Sequence, residues 1–166
     1  MEVNNIERNY IVHNENEILG FFGQYRFLSN FHQCPVYFEG VQYPSTENAF
    51  MAAKTLDLSE RKQFENIEPK EAKAIGRKIQ LRSDWEEVKY DVMLAVCFDK
   101  FYRNKSIRQK LLDTKEAYLE ETNHWGDQIW GANEYGEGKN SLGQILMHIR
   151  DVFRRQQIVG KSKLPR

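Results

Sequence analysis

The chain has 166 residues, 40% of them hydrophobic and 13% aromatic, a length that favours one domain with one sizeable core. Its 24 basic and 24 acidic residues cancel, which argues against duplex binding driven by phosphate neutralisation alone but leaves room for a local basic patch. No apolar run approaches the roughly 20 residues that span a bilayer, and the polar, acid-bearing start is not read as a secretory signal.

Residues 1–17 read as a polar arm. Arg26-Phe27-Leu28-Ser29-Asn30-Phe31 follows, where Ser29 and Asn30 stand between aromatics, either as polar tips at the rim of an apolar pocket or as a plain β-turn. Residues 36–43 alternate weakly around Glu39-Gly40 and predict a hairpin. Pro44-Ser45 opens a helix, with Ser45 as N-cap, Glu47 in the first turn, and Ala49, Phe50, Ala53 and Leu56 as its buried face. Pro69 fits the first position of another helix carrying Ala72, Ile75 and Ile79.

Ser83-Asp84-Trp85-Glu86 matches a capping box. The helix behind it should run to about Arg103. Val88, Val92, Ala95, Val96, Phe98 and Phe101 cover more than one of its faces, the pattern of a central core helix. Asn104 then caps a short helix with Ile107, Leu111 and Leu112. Residues 117–121 suit a strand, and residues 123–139 a structured loop. Asn140 caps a last helix with an apolar stripe of Leu142, Ile145, Leu146, Ile149, Val152 and Phe153. Residues 160–166 read as a short, flexible basic tail. The sum is a mainly helical α+β domain over residues 18–159, with a small antiparallel sheet and a helical core.

Cys34 and Cys97 lie far apart and form no zinc or redox spacing, so they read as reduced thiols of a cytoplasmic protein. His13, His32, His124 and His148 form no metal-binding pattern. Neither a metal nor a cofactor is expected.

Four segments can carry chemistry. Glu47 and Lys54 are nearly two helical turns apart, so they face the same way with Cα atoms about 10 Å apart at the helical rise. A carboxylate there can protonate a leaving group or stabilise an oxocarbenium-like centre. A desolvated lysine can form a Schiff base with an aldehyde. An exposed pair on a solvated face explains the same letters. In Asp127-Gln128-Ile129-Trp130-Gly131, Trp130 can stack on a base, Gly131 permits close backbone approach, and Asp127 can bond ribose hydroxyls or act as a base. An aromatic cluster of Trp125 and Trp130 over the core is the plainer alternative. Gly138-Lys139-Asn140 before a helix suits a phosphate, with Lys139 adding charge, although an ordinary capped loop looks the same. Arg77, Arg82 and Trp85 form a looser fourth set, and Trp85 also reads well as core.

Together these segments resemble the NADAR (YbiA-like) family of N-glycosidases. The likeness runs from about Gly20 to Arg155. It rests on Phe27-Leu28-Ser29-Asn30-Phe31, on Tyr43-Pro44-Ser45-Thr46-Glu47-Asn48-Ala49-Phe50 with Lys54, and on Ile75-Gly76-Arg77 and Trp85. Lys100-Phe101, Asp127-Gln128-Ile129-Trp130-Gly131, and Gly138-Lys139-Asn140-Ser141-Leu142-Gly143 with Leu146-Met147 and Arg150 complete it. The resemblance implies cleavage of an N-glycosidic bond to phosphorylated ribose, in a phosphoribosylamino-pyrimidine of riboflavin synthesis or in ADP-ribosylated guanine. It implies Glu47, Lys54 and Asp127 as catalytic, and Ser29, Asn30, Arg77, Trp85, Trp130, Gly131, Lys139 and Asn140 as substrate-binding. Two positions depart from the pattern: Met51 stands where relatives often have Gln, and Asn48 where many have His.

The expected partner is therefore a small-molecule ribose-phosphate N-glycoside, or ADP-ribosylated guanine within a nucleic acid, with no membrane. The competing readings are a non-catalytic ADP-ribose or nucleotide-binding module and a helical adaptor.

Overall fold

A computed structural model describes residues 11–162. In chain order the strands are β1 (Val12–His13), β2 (Glu17–Leu19), β3 (Gln33–Phe38), β4 (Val41–Ser45) and β5 (Tyr118–Glu120). The helices are α1 (Thr46–Ala52), α2 (Leu58–Arg61), α3 (Pro69–Gly76), α4 (Trp85–Arg103), α5 (Lys105–Asp113) and α6 (Ser141–Ser162). This is the expected α+β class. Among the described residues the chain divides into two compact units, residues 30–108 and residues 11–29 with 109–162.

In the unit of residues 30–108, β3 and β4 form the antiparallel hairpin that the sequence predicts, with Val36 opposite Tyr43 and Phe38 opposite Val41. Its two-residue turn places Glu39 at φ 47° and Gly40 at φ 80°. Two positive φ values match the right-handed twist of the strands, and glycine takes one without a Cβ clash. The hairpin packs on α4, and α1 lies against β3, β4, α3 and α4. All seven residues of α1 are buried, so no solvated face exists there for an idle ion pair. Ser45 caps α1 as expected: its hydroxyl accepts from Asn48 N–H at 3.1 Å.

Three expectations fail in this unit. Leu56, beyond the end of α1, is exposed. The capping box does not form: Asp84 is the N-cap of α4 and makes no side-chain cap bond. Its carboxylate instead takes a forked pair of bonds from Arg82 at 2.6 and 2.9 Å, a stronger, charge-assisted claim on the same oxygens. Helix α4 also buries one face rather than several. Val92, Met93, Val96, Cys97, Lys100 and Phe101 point inward, while Ala95 is exposed.

In the other unit, β2 pairs antiparallel with β1 and parallel with β5, so this second sheet is mixed. Residues 12–13 and 17 are strand, inside the stretch read as a polar arm; residues 1–10 lie outside the described residues. Helix α6 packs on β5 through the expected stripe, with Leu142, Leu146, Ile149 and Phe153 buried. It continues to Ser162, into the stretch expected to be tail. Residues 23–28 form a 3₁₀ turn with Ser29 as its C-cap, in place of a β-turn. Among the described residues, no helix is long and apolar enough to cross a membrane.

Candidate active site

Glu47 enters its position through a backbone clamp. The Asn30 carbonyl accepts from Glu47 N–H at 3.0 Å and from the Thr46 hydroxyl at 3.2 Å. The Asn30 amide in turn faces Met93 Sδ and the Cys97 thiol on α4. Asn30 is thus 7% exposed and committed to fixing the start of α1. Asn48, next along, donates to the carbonyls of Phe64 and Ile67 at 2.9 Å each. It ties α1 to the connection ahead of α3. The result is a carboxylate on a rigid helix, with Glu47 only 6% exposed.

Lys54 follows α1 in a helical turn, since Lys54 N–H donates to Met51 O at 3.2 Å. Its ammonium donates to the Gly76 carbonyl at 3.3 Å. Burial pushes the Lys54 amine below the ordinary lysine value; the Glu47 carboxylate opposes that shift, and Arg77 and Lys73 add to it. Glu47, Lys54 and Arg77 therefore share one electrostatic neighbourhood. Lys73 joins them, and the sequence reading missed it. The available signal was its four-residue spacing from Arg77, which puts both on one helix face. Close packing makes this possible: a Cβ on Gly76 would sit 2.2 Å from Met51 Sδ, so α3 rests directly on α1.

Trp85 is not a stacking plate here. It is 6% exposed and packs against Phe50 with ring centroids 5.0 Å apart. Its backbone links back to the site, because Trp85 N–H donates to Arg82 O and Arg82 N–H donates to Lys54 O at 2.8 Å.

The remaining candidates belong to the other unit. Asp127 Oδ1 accepts from the N–H groups of Ile129 and Trp130 at 3.1 and 2.9 Å, which closes the loop into a tight turn. Trp130 is half-buried. Gly131 does permit a close approach, but by the protein's own chain: a Cβ there would lie 2.1 Å from Glu121 O. The expected phosphate cradle at the start of α6 is already filled. The N–H groups of Lys139, Asn140, Ser141 and Leu142 donate to the carbonyls of Gln128, Gly131, Ile129 and Trp130. The loop caps the helix with its own backbone, which removes the donors a phosphate would need. Lys139 is left as an exposed side chain. Asn140 does not cap through its side chain either. Its amide donates to Leu119 O at 2.9 Å and Tyr118 Oη at 3.1 Å, and accepts from Glu121 N–H at 3.1 Å. With φ at 47° it is a buried bracket between β5 and α6. Ser29 is 9% exposed at the end of the 3₁₀ turn.

The NADAR domain family model matches residues 13–154. The chain belongs to that family. It is 34% identical over 143 residues to the N-glycosidase YbiA of Escherichia coli, covering 82% of this chain and 89% of that protein. It is 32% identical over 136 residues to the N-glycosidase Npun_R5314 of Nostoc punctiforme, covering 78% of this chain and 86% of the relative. Similarity to the riboflavin biosynthesis protein VVA0006 of Vibrio vulnificus is 31% over 148 residues, or 84% of this chain, which spans only 40% of that longer protein. The NMR structure of E. coli YbiA superposes with a TM-score of 0.76 at 31% identity, covering 97% of this chain and 96% of that one. This kinship supports an enzyme of the N-glycosidase class.

Proposed function

We propose that this NADAR-family chain is an N-glycosidase that hydrolyses the bond between a base or amine and a phosphorylated ribose. The observation that carries the reading is the buried Glu47 carboxylate acting on the half-buried amine of Lys54. A desolvated carboxyl and a depressed amine are the two groups this chemistry needs, an acid for the leaving nitrogen and a nucleophile or cation for the sugar.

In the proposed reaction, the bond from the anomeric carbon to the base nitrogen breaks and its electron pair leaves with the base. Glu47 gives the departing nitrogen a proton. The anomeric carbon ends bonded to a water oxygen. In the covalent variant, the neutral Lys54 amine bonds the anomeric carbon as the base leaves and gives up a proton; the ring C–O bond then breaks, its oxygen taking a proton, to leave an imine, which water hydrolyses to release the sugar and regenerate the amine. The structural roles of Asn30, Trp85, Gly131 and Asn140 make them supports rather than substrate contacts in this reading.

Two finer substrates fit: a phosphoribosylamino-pyrimidine of riboflavin synthesis and ADP-ribosylated guanine, free or in nucleic acid. The test is a chromatographic product assay on both. Release of free base or amine from either one supports the hydrolase. Nucleotide binding with no product from either would favour a non-catalytic reader. Borohydride added during turnover separates the variants, since only the imine route leaves a sugar adduct on Lys54.

A further inference from the structure

The region around Lys54 gathers three cations. Lys73 and Arg77 both act on the Lys54 amine where α1 and α3 meet, and Glu47 is the carboxylate that opposes them. The C-terminal end of α3 adds roughly half a negative charge at Gly76, and Lys54 already answers it through the Gly76 carbonyl. Three cations thus gather beside one carboxylate and a helix end.

The cations are also arranged to be used. Arg77 is the C-cap of α3 and keeps helical dihedrals, φ −73° and ψ −21°. Lys73, four residues earlier, lies on the same face. Lys73 is positioned beside the Phe31 ring, its ammonium 5.6 Å from the centroid. No hydrogen bond or ion pair joins the Arg77 guanidinium to another described residue, and Arg77 is exposed. A planar fork of donors with nothing to bind, beside two further cations and a reactive-site carboxylate, suits a phosphoryl group. The alternative anion site, the start of α6, has its backbone donors spent on the loop.

We propose that Arg77 and Lys73, at the end of α3, form the subsite for the phosphoryl group on the 5′ carbon of the substrate's ribose. Naming that phosphoryl as the substrate's rests on the glycosidase reading above. The site fixes the sugar by its phosphate end and leaves the anomeric end toward Glu47 and Lys54. The phosphoryl oxygens belong either to a monoester or to the diphosphate of ADP-ribose.

The test is calorimetric titration of the full chain with ribose, ribose 5-phosphate and ADP-ribose, in the wild type and in Arg77→Ala, Lys73→Ala and Lys78→Ala. Lys78 is an exposed lysine beside the pair and is not among the charges acting on Lys54, so Lys78→Ala controls for net charge. The wild type should bind a phosphorylated sugar more tightly than ribose. Arg77→Ala should weaken that binding about ten-fold or more, as loss of a charge-assisted pair does, with a smaller loss in Lys73→Ala and none in Lys78→Ala. Response to ribose 5-phosphate identifies a monoester, and response to ADP-ribose alone identifies the diphosphate. Unchanged affinity in Arg77→Ala, or a wild type that does not prefer the phosphorylated sugars, overturns the subsite. Because binding is read without turnover, phosphate binding that depends on Arg77 in a chain that cleaves nothing would sink the hydrolase alone. Cleavage with affinity independent of Arg77 would sink the subsite alone.

Discussion

The Lys54 ammonium donates to the carbonyl of Gly76 at 3.3 Å. One bond therefore holds the amine against the end of α3, half-buried and within reach of the Glu47, Lys73 and Arg77 charges. The amine is desolvated by the same packing that places Met51 under Gly76.

Burial lowers the folded-state pKa of Lys54 below its ordinary value of 10.5. Between those two values the unfolded chain holds more protons, so the contribution of this group to stability rises with pH across that window. Its penalty is fully present below the folded value. Competitive acetylation along a rising pH series, read by mass spectrometry, should modify Lys54 at lower pH than the exposed Lys78. The reverse order would mean that the amine is not depressed.

The two candidate tryptophans should separate by stability. Trp85→Ala empties a core position against Phe50 and should cost about 3–5 kcal/mol in urea unfolding. Trp130→Ala, at a half-buried ring, should cost about 1 kcal/mol. Equal losses would contradict the assignment of Trp85 to the core and Trp130 to a half-buried loop position.

Glycine at 131 is a packing requirement. Gly131→Ala drives a Cβ to 2.1 Å from Glu121 O and should cost more than about 3 kcal/mol. At Gly136, φ is 77° and nothing lies within 4 Å of the added carbon, so Gly136→Ala should cost about 1 kcal/mol from backbone strain. Thermal unfolding of the two variants checks the contrast.

Asn48 carries two carbonyls, that of Phe64, which is buried, and that of Ile67, which is part-buried. Asn48→Ala should lose about 2–4 kcal/mol because both acceptors go unmet. Asn48→Asp keeps the shape but cannot donate, and it should lose at least as much. An Asp variant as stable as the wild type would show that size, not donation, matters at this position.

What the sequence made legible was whatever a short stretch decides for itself. The Glu39-Gly40 hairpin, the Ser45 cap, Pro69 at the head of α3 and the α6 stripe are each fixed within a few residues. The capping box at Ser83 was also a local reading, and it fails because the helix caps one residue later, at Asp84, and the Glu86 carboxylate pairs with Lys89. The parallel pairing of β2 with β5 joins Glu17 to Tyr118, and no local pattern announces a contact of that sequence separation. The same limit explains the site. Glu47, Lys54 and Arg77 were named from their chemistry and from the resemblance. Lys73 went unseen because its meaning depends on α3 lying on α1. Asn140, Gly131 and the start of α6 were read as ligand contacts. Their groups instead meet Leu119, Glu121 and the residues 128–131 carbonyls, partners that become visible only when the loop folds over the helix.

The central claim is that Glu47 is the acid of an N-glycoside hydrolase, and the most direct measurement is turnover by Glu47→Gln. The substitution keeps size and hydrogen-bonding shape at a position 6% exposed, so the variant should melt close to the wild type and still bind ribose phosphate. Product release from the N-glycoside that the wild type cleaves should fall about a hundred-fold or more, the scale of a lost general acid. Turnover within a few-fold of the wild type, in a variant of intact fold, would contradict the account.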